Sequence, residues 1–285
     1  MPIRHLLNLV LLCVVIGLAT AVWYVQQHKN APQYLTALDK SQINRIIIPR
    51  DKGDIVLTRS ADNWMMASPY ALPAHDFRVQ TLLGLLHTSV SQAYARSELD
   101  LVQVELQPPR ASIRFNEHAI LFGNTNPMNN KRYVLSADKI YLLDDSLFPL
   151  LNAEAASLVN LSLLPAHTVI TKLEMPGLSL QQASDHLWRD ASNKTITADA
   201  AQQLLDNWRT ASAYAVHAYL ARNARPVTLT LDNGSVLHFM VARDNTTLIV
   251  GRPDVGVEYH FDENYANKLL KLPAIAQTPA SKQTP

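Results

Sequence analysis

The chain is short of three things, and each shortage excludes a class of chemistry. It has one cysteine, Cys13, among 285 residues, so neither an internal disulfide nor a cysteine-based zinc site can form. It has 8 glycines, and they never cluster as G-x-G-x-x-G or G-x-x-x-x-G-K-[ST], which excludes the common phosphate cradles. It has no charge surplus: 25 Lys and Arg stand against 24 Asp and Glu, a formal net charge of +1. Nucleic-acid binding needs an excess of basic side chains on one face, so nucleic acid is not an expected partner. The 10 histidines fall in no H-E-x-x-H spacing, and no G-x-S-x-G elbow is present. His217, His238 and His260 lie on or beside expected strands, where structural or solvated histidines are the rule. The reading is of a non-enzyme, with no catalytic residue, cofactor or metal assigned.

What is present is unevenly distributed. Leu6 to Val25 carries no charged side chain, and about 20 residues at roughly 1.5 Å each match a hydrocarbon core of about 30 Å. Trp23 and Tyr24 close the run where an aromatic belt would lie. The expectation is a transmembrane helix over residues 6–25, with residues 1–5 cytoplasmic, Cys13 inside the bilayer and the rest of the chain exported. Ala19-Thr20-Ala21 also has the small-x-small form of a cleavage site, so removal of the segment after Ala21 stays open. Residues 26–41 read as a polar connector.

From residue 42 the pattern alternates. Ile43 to Ile48, Ile55 to Thr58 and Asn63 to Met66 read as strands, with a hairpin signal at Asp51-Lys-Gly-Asp54. Asp76 precedes Val79, Leu82, Leu83 and Leu86 at helical spacing. Four further strands and a short helix from Asp145 to about Ala156 follow. The same order returns from Val169: strands, Trp188 in place of Trp64, a capped helix with Leu204, Leu205 and Trp208, then Ala213-Tyr-Ala215 matching Ala93-Tyr-Ala95. A hairpin at Asp232-Asn-Gly-Ser235, paired strands and a helix with Tyr265, Leu269 and Leu270 complete it. The expected fold is α+β: a transmembrane helix followed by two tandem repeated units of antiparallel sheet plus helices, over 42–165 and 166–273, with a disordered tail 274–285. Trp64, Trp188, Tyr94 and Tyr214 read as core anchors. Asp144-Asp145 and Asp262-Glu263 read as helix caps rather than an acid–base pair.

The first unit carries Ile46-x-Ile48-Pro49, Ile55-Val-Leu57, Trp64, Pro69, Pro73-Ala74-x-Asp76 and Leu82-Leu83-x-Leu85. It continues with Phe122-Gly123, Arg132-Tyr-Val134 and Ile140-Tyr-Leu-Leu143. This pattern resembles a bacterial envelope domain family of unassigned function, whose members are often encoded beside ABC-type export components linked to gliding motility. The second unit departs from it, with Ala242 at the glycine position and no Arg-Tyr-Val. The resemblance implies an inner-membrane, single-pass protein with a periplasmic domain, and assigns no catalytic residue.

One segment stands out from this architecture. Gly123 to Arg132 is a long amide-rich loop whose counterpart, Ala242 to Thr247, is shorter, and elaborated loops are where specialised contacts arise. Asn124, Asn126, Asn129, Asn130 and Arg132 are the candidate partner or ligand residues. The function expected is a non-enzymatic accessory or scaffolding subunit of a membrane or transport complex, with inner-membrane or periplasmic proteins as partners. A periplasmic module binding a small ligand or glycan is the alternative.

Overall fold

The computed structural model describes residues 3–29, 33–90, 93–183, 185, 187–191 and 195–273; the tail expected over 274–285 lies outside them. The strands, in chain order, are β1 Gln33–Tyr34, β2 Arg45–Ile48, β3 Ile55–Ser60, β4 Asn63–Ser68, β5 Leu72–Pro73, β6 Ser89–Val90 and β7 Ala93–Ala95. Then come β8 Ala111–Phe115, β9 His118–Thr125, β10 Arg132–Ser136, β11 Lys139–Leu143, β12 Ile170–Met175, β13 Leu178–Gln182 and β14 Trp188–Arg189. The last five are β15 Ala215–Ala218, β16 Arg225–Leu231, β17 Val236–Asp244, β18 Thr247–Arg252 and β19 Val257–Asp262. The helices are α1 Ile3–Lys29, α2 Asp76–Gly84, α3 Phe148–Asn152, α4 Ala198–Arg209 and α5 Asn264–Leu270.

Two corrections to the expected fold follow. The protein is mainly β, built on three antiparallel sheets with few helices, and not the α+β fold expected. The expected helix over 145–156 shows why: Pro149 sits in its first turn, and only Phe148–Asn152 is α-helical, flanked by 3-10 turns at Asp145–Leu147 and Ala155–Leu158. The second correction is that, among the described residues, no helix is long and apolar enough to cross a membrane. The expected membrane span over 6–25, and the cytoplasmic 1–5, single-pass inner-membrane and periplasmic assignments built on it, are not upheld.

The chain divides into two compact units. The first comprises Met1–Lys40, Leu83–Arg110 and Ile120–Ser146. It holds the β1–β6 ladder and the strand run β9-β10-β11-β7. The second comprises Ser41–Leu82, Ala111–Ala119 and Leu147–Pro285. It holds the run β5-β4-β3-β2-β8 and a complete eight-stranded sheet, β14-β13-β12-β16-β17-β18-β19-β15. The eight-stranded order reads as β4-β3-β2-β8 followed by β9-β10-β11-β7, strand for counterpart strand.

The elements follow from local chemistry. In β16, Val227 and Leu229 face inward and are buried while their neighbours are not, the period of a half-buried strand. The β16–β17 hairpin turns at Gly234, with φ +81°, where a side chain would be strained, and the Asn233 side chain accepts the Ser235 N–H at 2.9 Å. Helix α4 buries Ala200, Ala201, Leu204, Leu205 and Trp208, one stripe at helical spacing. The Trp208 indole N–H donates to the Leu269 carbonyl at 2.9 Å and its ring meets Phe239 at 5.5 Å, so one side chain joins α4, α5 and β17. Trp64 and Trp188 are buried as expected, whereas Tyr214 is 55% exposed and is not a core anchor.

Candidate functional site

The connection from β9 to β10 was the sequence's candidate. Its asparagines build the turn they sit in. The Asn126 side chain accepts the Met128 N–H at 2.9 Å, and the Asn129 side chain accepts the Lys131 N–H at 3.0 Å. Across the turn, Asn126 donates its N–H to the Lys131 carbonyl at 2.7 Å and accepts the Asn130 N–H at 2.8 Å. Asn130 adopts φ +56°, a conformation asparagine tolerates better than most residues. Asn124 anchors the base: its N–H reaches the Val104 carbonyl at 3.0 Å and its Nδ2 the Gln103 carbonyl at 3.2 Å.

Arg132 faces the other way. It is buried, forks onto the Asp145 carboxylate (Nη2–Oδ2 2.8 Å) and donates to the Gly123 carbonyl. Asp145 therefore serves as the counter-ion of Arg132. In α5, Glu263 makes no side-chain cap bond, so that capping expectation is replaced as well. What the turn presents outward is Met128, 93% exposed at its tip. The structure thus gathers Asn124, Asn126, Asn129 and Asn130 into one braced turn and assigns Arg132 to its foundation.

A second polar assembly lies in the eight-stranded sheet. β15 and β19 pair antiparallel, with His217 opposite Glu258 and Ala215 opposite His260. Side chains two apart on a strand share a face, so Glu258, His260 and His217 meet on one side. Glu258 is only 2% exposed and has three donors: the Leu220 N–H at 3.0 Å, Arg222 Nη2, which reaches both carboxylate oxygens at 2.8 and 2.9 Å, and His260 Nε2 at 2.9 Å. Burial opposes ionisation of this carboxyl and is the largest single influence on it. His260, the Leu220 amide and Arg222 together outweigh burial and hold Glu258 below the usual carboxylate range.

The His217 and His260 rings lie 4.7 Å apart, and Glu154 accepts from His217 Nδ1 at 3.2 Å and from the Ala218 N–H at 2.9 Å. Each imidazole thus has its own carboxylate, an arrangement that orients both rings. His238 is elsewhere, near the Thr228 hydroxyl at 3.4 Å. Among the described residues no group of three or more His, Cys, Asp or Glu could hold a metal ion. Glu258 and Arg222 were not singled out by sequence reasoning. The available signal was a glutamate and a histidine sharing one face of V-E-Y-H-F, whose other face is apolar.

The model for the family described as Domain of unknown function (DUF4340) matches residues 64–234, which is 171 of the 285 residues. No curated protein and no solved structure matches the chain. The match opens at the buried Trp64 of β4 and closes at Gly234, in the β16–β17 hairpin, covering the amide-rich turn, His217 and Arg222. With more than half of its residues matched, the chain belongs to the domain family of unknown function DUF4340.

Proposed function

We propose that this protein is a non-enzymatic accessory or scaffolding subunit that works by contact, and that the β9–β10 turn is its docking element. The observation that carries the reading is Met128: a large apolar side chain, almost wholly exposed, at the tip of a turn fixed by its own asparagines. A rigid turn loses little conformational entropy when a partner covers it, and methionine is enriched in interface cores. The pair of buried Arg132 with half-exposed Asp145 holds the base of the turn in place. Components of ABC-type export assemblies are the partner class, on the strength of the resemblance carried by Trp64, Phe122-Gly123 and Arg132-Tyr-Val134.

Affinity capture with the full chain, compared with Met128→Asp, tests this. The wild-type chain is expected to retain an export-assembly component that the variant loses, with thermal stability equal in both because the side chain touches solvent. Recovery of the same component by both proteins, or of none by the wild type, would sink the proposal.

A further inference from the structure

The eight-stranded sheet contains a cavity of about 570 Å³ whose lining has one sign of charge. Its shape follows from strand register. Leu173 pairs with Leu229 and Val227 with Phe239, so Met175, two residues beyond Leu173, continues the row of Val227 and Phe239. One step further along the same face, Arg225 pairs with Val241, and Arg243 lies two residues past Val241. The buried apolar rows of β12, β16 and β17 therefore run out into two arginines. The end of α5 brings Leu270 and Lys271 to the same cavity, and Pro176 from the β12–β13 turn completes its wall.

No carboxylate lines this cavity. Among the described residues, none of Arg225, Arg243 and Lys271 is held in an ion pair, while Arg110, Arg132, Arg189, Arg209, Arg222 and Arg252 all are. Three exposed cations without counter-ions stand beside the apolar side chains Met175, Val227, Val241 and Leu270 in one solvent-open cavity. A guanidinium fork matches a phosphate or carboxylate head, and Met175, Val227, Val241 and Leu270 match an apolar body. The volume lies within the roughly 300–1,000 Å³ of small-molecule sites.

We infer that this cavity binds an amphiphilic organic anion, its phosphate or carboxylate head on Arg225, Arg243 and Lys271 and its apolar chain on the β12–β16–β17 floor. The inference is independent of the docking turn. Isothermal titration of the full chain with decyl phosphate below its micelle concentration is the direct test. Stoichiometric binding that weakens with added salt is expected. Arg243→Glu and Lys271→Glu each weaken it by about tenfold to a hundredfold, as loss of a charged hydrogen bond implies. Lys52→Glu, an equal charge change on an exposed turn, leaves it unaltered. Both cavity residues are exposed, so their variants retain the wild-type melting temperature; should either fail to fold, Arg243→Gln carries the same comparison. Binding of inorganic phosphate as tight as that of decyl phosphate would overturn the apolar half of the assignment. Equal binding of neutral decyl maltoside would overturn the anionic half. No binding at all, or equal loss in Lys52→Glu, would overturn the site.

Discussion

The β9–β11 run and the β17–β19 run share strand order and register, yet they close one face by opposite means. Val134 pairs with both Phe122 and Tyr141, and Val250 with both Val241 and Tyr259, which sets the correspondence. Ile140 then corresponds to Glu258 and Tyr94 to His217, since each pair lies across the next ladder. In the first run this face is apolar: Leu135 and Ile140 are covered by Val104 and Leu106, with Tyr94, Leu99, Leu101, Leu121 and Tyr133 packed around them. In the second run the equivalent position holds a buried glutamate with three donors. The lesson concerns what a pleated face demands. It accepts either a sealed hydrocarbon layer or a charge whose hydrogen bonds are all made, because a half-satisfied charge is the costly state.

Removing the glutamate breaks that comparison most severely. Glu258→Ala strands the Arg222 guanidinium, His260 Nε2 and the Leu220 N–H without an acceptor, at a cost of about 3 kcal/mol or more. Chemical denaturation should show the midpoint falling with the slope unchanged, whereas a midpoint within error of wild type would mean the network is ornamental. The apolar side has its own sensitive point. A Cβ on Gly123 would lie 2.2 Å from the Val104 carbonyl oxygen, a backbone atom that cannot swing away. Gly123→Ala should therefore cost about 1–3 kcal/mol through overpacking. The counterpart strand already carries Ala242, and Ala242→Gly should cost only about 0.5–1 kcal/mol through lost strand preference. Equal losses in the two variants would show that the covering segment imposes no close approach.

Much of the sheet was legible in the sequence, and the reasons are local. Val227 and Leu229 alternate with threonine, Gly234 marks a turn needing positive φ, and Trp64 and Trp188 open matching rows. The polar network was not legible, because its members come from distant places: Leu220 and Arg222 stand 38 and 36 residues from Glu258. Only the sheet's register brings them together. The asparagines of the β9–β10 turn were visible but looked available, while Asn126 and Asn129 bond two residues ahead, as asparagine in turns tends to do. Tyr214 was misjudged because Ala213-Tyr-Ala215 copies Ala93-Tyr-Ala95 in letters but not in register. The first triplet is β7 itself, and the second enters β15 only at Ala215.

The gentlest test of the comparison is acidification. The folded-state pKa of Glu258 is depressed, so its ionised form stabilises the native state at every pH above the unfolded carboxyl value of about 4.3. That contribution is lost as pH falls through the lower, folded value, because protonation removes an acceptor from Arg222 and His260. Burial works against the same charge, which keeps the net effect smaller than that of deleting the side chain. Denaturation midpoints measured downward from neutral pH should fall more steeply for wild type than for Glu258→Gln, which has no proton to gain there. Asp254, held down by Arg252, adds to the acid sensitivity of both proteins and cancels in the difference. The apolar counterpart offers no titrating group at Ile140, so Ile140→Val should lower the midpoint equally at every pH. Parallel curves for wild type and Glu258→Gln would mean that the glutamate binds its proton equally well folded and unfolded, so that the network confers no preference for its ionised form.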